Sequence, residues 1–188
     1  MSYRIILYLL FVATDFDTFF NMNENAITKT LLNIWPGLAD YEAMLAERAH
    51  NHALCSCNTP LLTNRIIDKI IDLNVKQQTI HNLALRLNRV IDKLPADTQA
   101  VLRSYYRTFG NNTNISNQAK QLGIAERTFY RHLDRAVETI GRRLDDIGIN
   151  FFTWQDLLHQ HPWVKETFMR QCPLNPLQRN ARRKALNH

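Results

Sequence analysis

The longest regular hydrophobic pattern of the chain lies between residues 63 and 94. Hydrophobic side chains and one glutamine recur there at alternating spacings of four and three: Ile66, Ile70, Leu73, Gln77, Ile80, Ala84, Leu87, Ile91 and Leu94. These spacings place the side chains on one face of an α-helix, which Thr63 can cap and Pro95 ends. About thirty helical residues span about 45 Å. The pattern therefore predicts a long spine helix.

Two shorter helices are predicted upstream of the spine. The first runs from about Asn25 to Ile34 and stops at Trp35-Pro36-Gly37, because proline and glycine interrupt helices. The second begins near Leu38, and its hydrophobic face has near-heptad spacing: Leu38, Tyr41, Leu45, Ala49 and His52. Together with the spine it predicts an N-terminal helical hairpin.

The sequence leaves two partners open for the spine. Further apolar residues widen its hydrophobic face: Ile67, Ile71, Leu83 and Val90. A wide face favours burial against the chain's own helix at 38–54. The alternative is a homodimer through residues 63–94, in which Gln77 would select the register of a coiled coil.

A different pattern lies between residues 115 and 136, where a short helix, a glycine turn and a second helix are predicted. Ala119 and Leu122 supply apolar contacts of the first helix, and Gly123 suits a left-handed turn. In the second helix four side chains share one face: Phe129, Leu133, Ala136 and Ile140. An arginine row forms the opposite face: Arg127, Arg131 and Arg135. This order predicts a helix-turn-helix, whereas the arginine row alone is also typical of an ordinary solvated helix face.

A helix at about 96–108 precedes this pair, so that three helices form the predicted unit. The third is expected to run from 125 to 145, with Arg142 and Arg143 near its end in reach of phosphates. Ala125 occupies its N-cap position but has no side-chain oxygen to accept a backbone amide, which costs about 1 kcal/mol.

The distribution of charge agrees with a polyanion partner. Residues 1–94 carry 9 Lys+Arg and 9 Asp+Glu, whereas residues 95–188 carry 14 and 8, so the formal charge of +6 lies in the second half. A basic excess beside the predicted helix-turn-helix favours nucleic acid. Stacking aromatics typical of RNA binding and a basic amphipathic membrane helix are not evident in the sequence. The few glycines and prolines, 5 and 6, predict an all-α fold.

Two segments of the first sixty residues resemble functional sites, one a membrane or targeting segment and the other a metal site. Residues 1–21 contain a nine-residue apolar run that is too short to span a bilayer, and we expect translation to start at Met22. The second segment clusters four potential metal ligands: His50, His52, Cys55 and Cys57. Side chains two residues apart diverge on a helix, so no metal site is expected. Three cysteines without a disulfide framework favour a reducing cytoplasm, and no membrane association is expected.

The C-terminal residues divide into two parts. Residues 147–176 are rich in aromatic side chains and predict two short helices, separated at Pro162, that fold back on the rest of the protein. Residues 177–188 form a basic tail. The predicted divisions of the chain are 1–21, 22–94 for the spine, 95–146 for DNA binding, 147–176 and 177–188.

The residues of the three-helix unit resemble region four of sigma factors and, more closely, phage late-gene transcription activators of the ArpU and RinA type. The resemblance covers about residues 31–144 and is carried by Trp35-Pro36-Gly37-Leu38, Leu94-Pro95, Val101-Leu102, Tyr105-Tyr106, Ala119, Leu122-Gly123-Ile124, Glu126-Arg127-Thr128-Phe129-Tyr130-Arg131 and Arg135-Ala136. The chain departs from that pattern at Ala125, where such proteins place serine. It also departs beside Ala119, where Gln118 and Lys120 replace an acidic residue.

The resemblance implies a sequence-specific regulator of phage or prophage late genes that binds double-stranded DNA; RNA polymerase is a candidate further partner. It implies four base-contacting residues: Glu126, Arg127, Tyr130 and Arg131. The residues expected on the DNA backbone are Lys120, Thr128, Arg135, Arg142 and Arg143. Arginine suits guanine edges, and glutamate can accept from a cytosine amine.

Two other functions of this unit stay open, and a third class is not favoured. A sigma-like factor would bind RNA polymerase and melt promoters, but residues 1–94 carry no net positive charge. A phage packaging or assembly protein could hold DNA with the same three helices without regulating genes. No phosphate-binding glycine loop, carboxylate pair or Ser/His/Asp arrangement predicts an enzyme, and no cofactor is expected.

Overall fold

The computed structural model describes residues 24–55, 63–107 and 114–172, which form helices and contain no strand. The predicted all-α class is therefore confirmed for this part of the chain. The elements are α1 (24–34), a 3-10 turn (Trp35–Gly37), α2 (Leu38–Cys55), α3 (Thr63–Asp92), α4 (Ala96–Arg107), α5 (Ile115–Gln121), α6 (Glu126–Gly141), α7 (Leu144–Ile147), α8 (Phe151–Gln160) and α9 (Pro162–Gln171). The apolar segment 1–21, Met22, Cys57 and the basic tail lie outside the described residues.

Helices α2 and α3 pack against each other in opposite directions. The Trp35 indole nitrogen, just before α2, donates to the Asn88 side-chain oxygen at 2.8 Å, while Glu42 contacts His81 at 3.0 Å. Residues later in α2 therefore face residues earlier in α3, so the two helices are antiparallel. The predicted seam lies on this packed side, where Ile80, Leu87 and Ile91 are fully buried. The spine is therefore covered by the chain's own second helix along this face.

Two residues predicted to widen that face lie elsewhere. Ile67 is 46% exposed and Ile71 is 55% exposed, and Val75, one turn further, is 52% exposed. Helical geometry explains the difference, because positions 67, 71 and 75 project from α3 about half a turn away from Ile80 and Leu87. The expectation for Ile67 and Ile71 was wrong: α3 has a second, separate apolar stripe.

The C-terminal helices fold back on α2. Asn150 and Thr153 form a reciprocal capping box at the start of α8, and Pro162 opens α9, as its position after a helix break predicts. The Tyr41 ring of α2 lies 5.7 Å from the ring of His161, between the two helices. His161 is fully buried. Burial, with a smaller effect of Lys76, lowers the pKa of His161 to about 4.

The expected third helix of the DNA-binding unit is shorter than the sequence suggested. It ends at Gly141 instead of continuing to 145, and Arg142 and Arg143 lie in a turn before α7. Glycine has a low helix propensity, and a Cβ added at this position would lie 2.7 Å from a Glu24 carboxylate oxygen of α1, so that side chain would have to move. Helix α7 then turns toward α3.

One cluster of buried side chains joins α1, α2, α3 and α4 to the helices that follow. Its members extend from Ala26 of α1 to Phe168 of α9 and include the buried face of α6. Because α6 contributes to this core along its whole length, its outer face is held in a fixed direction. No described helix is both long and apolar enough to cross a membrane.

Candidate nucleic-acid interface

The turn between α5 and α6 is fixed by its backbone. Gly123 has φ 67°, in the left-handed region that favours glycine, and an added Cβ would meet no atom within 4 Å. The amide of Ile124 donates to the Ala119 carbonyl at 3.0 Å, and the amide of Gly123 donates to the Lys120 carbonyl at 3.1 Å. These two bonds form a Schellman motif. Gly123 is therefore required for its backbone conformation, as its place in the sequence predicts.

The inner face of α6 anchors the helix. The four residues expected on this face are buried, with exposures of 0–8%: Phe129, Leu133, Ala136 and Ile140. His132 adds a polar contact, because its Nδ1 atom lies 2.9 Å from the hydroxyl of buried Thr98 in α4. The sequence pattern did not reveal this contact, since the two residues are 34 positions apart.

The outer face of α6 carries the predicted arginine row. Arg127, Arg131 and Arg135 are all exposed, and none of them makes an ion pair with another described residue. Tyr130 is 48% exposed beside them. A shallow groove brings together five of the predicted contact residues: Arg127, Thr128, Tyr130, Arg131 and Arg135. Unpaired guanidinium groups on a rigid helix can bond to guanine edges and to phosphates.

The other predicted contact residues lie around this groove. Glu126 is exposed in the first turn of α6, where a carboxylate is favourable near the positive end of the helix dipole. Lys120 is exposed on α5. Arg143 is half-buried in the turn after α6, and Arg142 bonds to Glu138 at 3.2 Å. One guanidinium nitrogen of Arg142 is therefore engaged by Glu138, and its other donors remain available to a phosphate.

Two carboxylates share the groove with the arginines. Asp134 and Glu138 are exposed and line it, although neither is among the predicted contact residues. Their helical spacing from Arg131 and Arg135, three residues in each case, is visible in the sequence and could have shown that they share the arginine face. They also line a neighbouring cavity of about 550 Å³ between α1 and α6.

The start of α6 is uncapped. Ala125 has extended backbone angles, φ −70° and ψ 146°, and no side chain accepts a hydrogen bond at this N-cap. By contrast, the side chain of Asn114 caps α5 by accepting from the amide of Ser116 at 3.1 Å. The expected weakness of Ala125 as a cap is confirmed. It lies directly before the turn of α6 that carries Glu126 and Arg127.

The histidine and cysteine cluster shows no metal centre in its described part. His50 is exposed and His52 is half-buried on α2, whereas Cys57 lies outside the described ranges. Among the residues that the structure describes, no group of three His, Cys, Asp or Glu side chains could hold a metal ion. The outer face of α6 therefore remains the strongest candidate site.

Comparison with known proteins finds no matching protein-family model, no matching curated protein and no matching solved structure. The chain's own residues offer an exposed arginine row on α6, a fixed turn before it and a hydrophobic core behind it.

Proposed function

We propose that this protein is a sequence-specific DNA-binding transcriptional regulator. In this proposal α5 and α6 are a helix-turn-helix, supported from behind by α4, and α6 enters the major groove. The observation that carries the proposal is the outer face of α6, where Arg127, Arg131 and Arg135 are exposed and have no ion-pair partner among the described residues. An exposed arginine row on a helix fixed by its own core is what base recognition requires.

The roles proposed for the contact residues are those that the resemblance to phage late-gene activators implies. Glu126, Arg127, Tyr130 and Arg131 occupy its first two turns and would contact base edges. Lys120, Thr128 and Arg135 flank them and would contact the DNA backbone, with Arg142 and Arg143 as the outermost backbone contacts. Phosphate contacts would supply affinity and position the helix, whereas base contacts would supply sequence preference.

The biological setting is inferred from the resemblance to phage late-gene activators. It favours a regulator of phage or prophage late genes in the bacterial cytoplasm, with RNA polymerase as a further partner. A homodimer through residues 63–94 would present two copies of α6 to a two-fold symmetric site. The large apolar side chains of α3 that stay exposed, and that such a dimer could cover, are Ile67, Ile71, Val75 and Leu85.

Selection from a pool of duplexes with a randomised centre tests the proposal. We expect the full chain to enrich one sequence, and we expect enrichment to fail for the double variant Arg127→Ala/Arg131→Ala. Arg48→Ala/Arg65→Ala is the matched control, because these are exposed arginines of α2 and α3, which carry none of the proposed contact residues. Binding without enrichment of any sequence would contradict base recognition.

A reporter experiment then distinguishes regulation from DNA packaging. The enriched sequence is placed upstream of a reporter gene in a bacterial host that expresses the protein. A regulator changes transcription, and the change is lost with Arg127→Ala/Arg131→Ala. Specific binding without any change in transcription would favour the assembly protein.

A further inference from the structure

Three carboxylates border the C-terminal half of α6, and we call Glu24, Asp134 and Glu138 the acidic rim. Asp134 and Glu138 project from α6 itself, and both are exposed. Glu24 comes from α1 and lies over Gly141, because a Cβ added there would be 2.7 Å from a Glu24 carboxylate oxygen. All three line the cavity between α1 and α6. Two separate helices thus bring negative charge to the same end of the proposed DNA-binding helix.

One cation near the acidic rim is already paired, whereas Lys29 and Arg135 are exposed and form no ion pair with a described residue. Glu138 holds Arg142 at 3.2 Å, whereas Arg127 and Arg131 have no ion-pair partner among the described residues. Asp134 likewise forms no ion pair with any described residue, so its charge is not neutralised by a direct partner. The first two turns of α6 therefore present free positive charge, and the later turns present mixed charge.

The distances along the helix place this rim within electrostatic reach of a bound duplex. At a rise of 1.5 Å per residue, Asp134 lies about 4.5 Å beyond Arg131 along the axis, and Glu138 lies about 10 Å beyond it. The Debye length at physiological salt is about 8 Å. A phosphate near the middle of α6 would therefore be repelled by Asp134, whereas bases near Arg127 would be less affected.

We propose that the acidic rim weakens phosphate contacts along the C-terminal half of α6 and thereby suppresses binding through phosphates alone. This inference rests on the proposed function. Binding to unrelated DNA depends almost wholly on phosphate contacts, so repulsion of phosphates weakens it most. At the correct sequence, base contacts by Arg127 and Arg131 hold the duplex at the start of α6. The rim thereby increases the ratio of specific to non-specific affinity, because specificity is a difference between two affinities.

The test compares three variants of the full chain: Asp134→Asn, Glu138→Gln and the double variant. Dissociation constants are measured for the enriched duplex and for a scrambled duplex of equal length over a range of salt concentrations. We expect the double variant to bind scrambled DNA about three- to tenfold more tightly, as expected for exposed charges, and the enriched duplex less than twofold more tightly. Glu138→Gln also frees Arg142, so its salt slope on scrambled DNA should steepen by about one.

Asp156→Asn/Glu166→Gln is the matched control for the double variant. Both residues are exposed carboxylates, on α8 and α9, and Glu166 pairs with Arg170 as Glu138 pairs with Arg142. The control removes the same charge from the protein and should leave the ratio of the two affinities unchanged. Thermal unfolding of each variant verifies that the fold is intact. An equal gain on both duplexes, or the same effect in the control, would overturn the role of the rim while leaving DNA binding in place.

A loss of affinity of Asp134→Asn for the enriched duplex alone would also overturn the role, because Asp134 would then be accepting a hydrogen bond from a base. If the unsubstituted chain binds no duplex, the proposed function itself fails, and the rim fails with it. These outcomes are distinguishable, because only in the last one does the unsubstituted protein fail to bind DNA.

Discussion

Helices α3 and α6 are both amphipathic, but they use their apolar residues differently. The apolar positions of α6 share one side and are buried there, and the other side carries charge. Helix α3 buries Ile80 and Leu87 on one side, yet it exposes Ile71 and Val75 on the opposite side. A hydrophobic period therefore identifies which residues share a face. It does not identify what covers that face, or whether a second apolar face exists.

The largest expected effect comes from removing a side chain on the covered face of α6. Phe129 is fully buried. Phe129→Ala should lower the free energy of unfolding by about 3–5 kcal/mol, because it leaves a cavity in the core. Urea denaturation measures this loss. The matched variant on α3 is Ile71→Ala, which should change the stability of the monomer by less than about 0.5 kcal/mol.

Similar losses of unfolding free energy in Phe129→Ala and Ile71→Ala would contradict the difference between the two helices, because they would mean that the apolar stripe around Ile71 is covered in solution. Both variants should be compared at a protein concentration where the chain is monomeric, so that self-association does not add to stability.

A pH-dependent effect of intermediate size is expected at buried His161, between α8 and α9. Burial lowers the pKa of His161 to about 4, so the folded protein binds fewer protons than the unfolded chain between that value and about 6.5. The free energy of unfolding is therefore highest, as far as His161 is concerned, above pH 6.5, and it decreases as the pH falls toward 4. The loss should reach about 3 kcal/mol.

Urea denaturation from pH 7 to pH 4 measures this dependence. His161→Asn removes the titratable group, so the difference in stability between the two proteins isolates its contribution from that of the carboxylates. Equal losses of stability in the two proteins over this range would show that His161 is not the responsible group.

A smaller effect is expected at the start of α6. Ala125→Ser supplies the missing N-cap and should raise the free energy of unfolding by about 1 kcal/mol. Thermal denaturation measures the gain. Ala125→Val is a suitable control, because its side chain fits extended backbone but offers no hydrogen-bond acceptor. An equal change in both variants would exclude capping as the cause.

The smallest expected effect on monomer stability concerns the exposed stripe of α3, where assembly is the informative measurement. If the homodimer through residues 63–94 forms on this stripe, Ile71→Ser should convert it to a monomer in sedimentation equilibrium. Ala84→Ser changes the covered side and should leave the oligomeric state unchanged. A dimer that persists in Ile71→Ser would show that the interface does not lie on this stripe.

Much of the helical fold was predictable because local rules decide it. The stops at Trp35-Pro36-Gly37 and at Pro95, the left-handed Gly123 and the buried face of α6 all follow from residue types and spacing. The end of α6 at Gly141 did not follow from the hydrophobic spacing, which continues past this residue to Leu144. The second face of α3 could have been predicted from the four-residue spacing of Ile67 and Ile71.

The candidate site was predicted less completely than the fold. The arginine row follows from spacing alone, and its exposure on α6 agrees with it. The contact between Thr98 and His132 and the position of Glu24 depend on tertiary packing, which a periodicity cannot show. Asp134 and Glu138 were visible in the sequence, but their importance depends on which of the neighbouring arginines are already paired.

The most direct test of the central claim is an equilibrium titration of Arg131→Ala against the enriched and scrambled duplexes. Arg131 projects almost opposite the buried face of α6, so its substitution should not affect the fold. If it contacts a base, the variant should lose about 1–3 kcal/mol of binding free energy on the enriched duplex and much less on the scrambled one. Equal losses on both duplexes, or no loss on either, would contradict base recognition by α6.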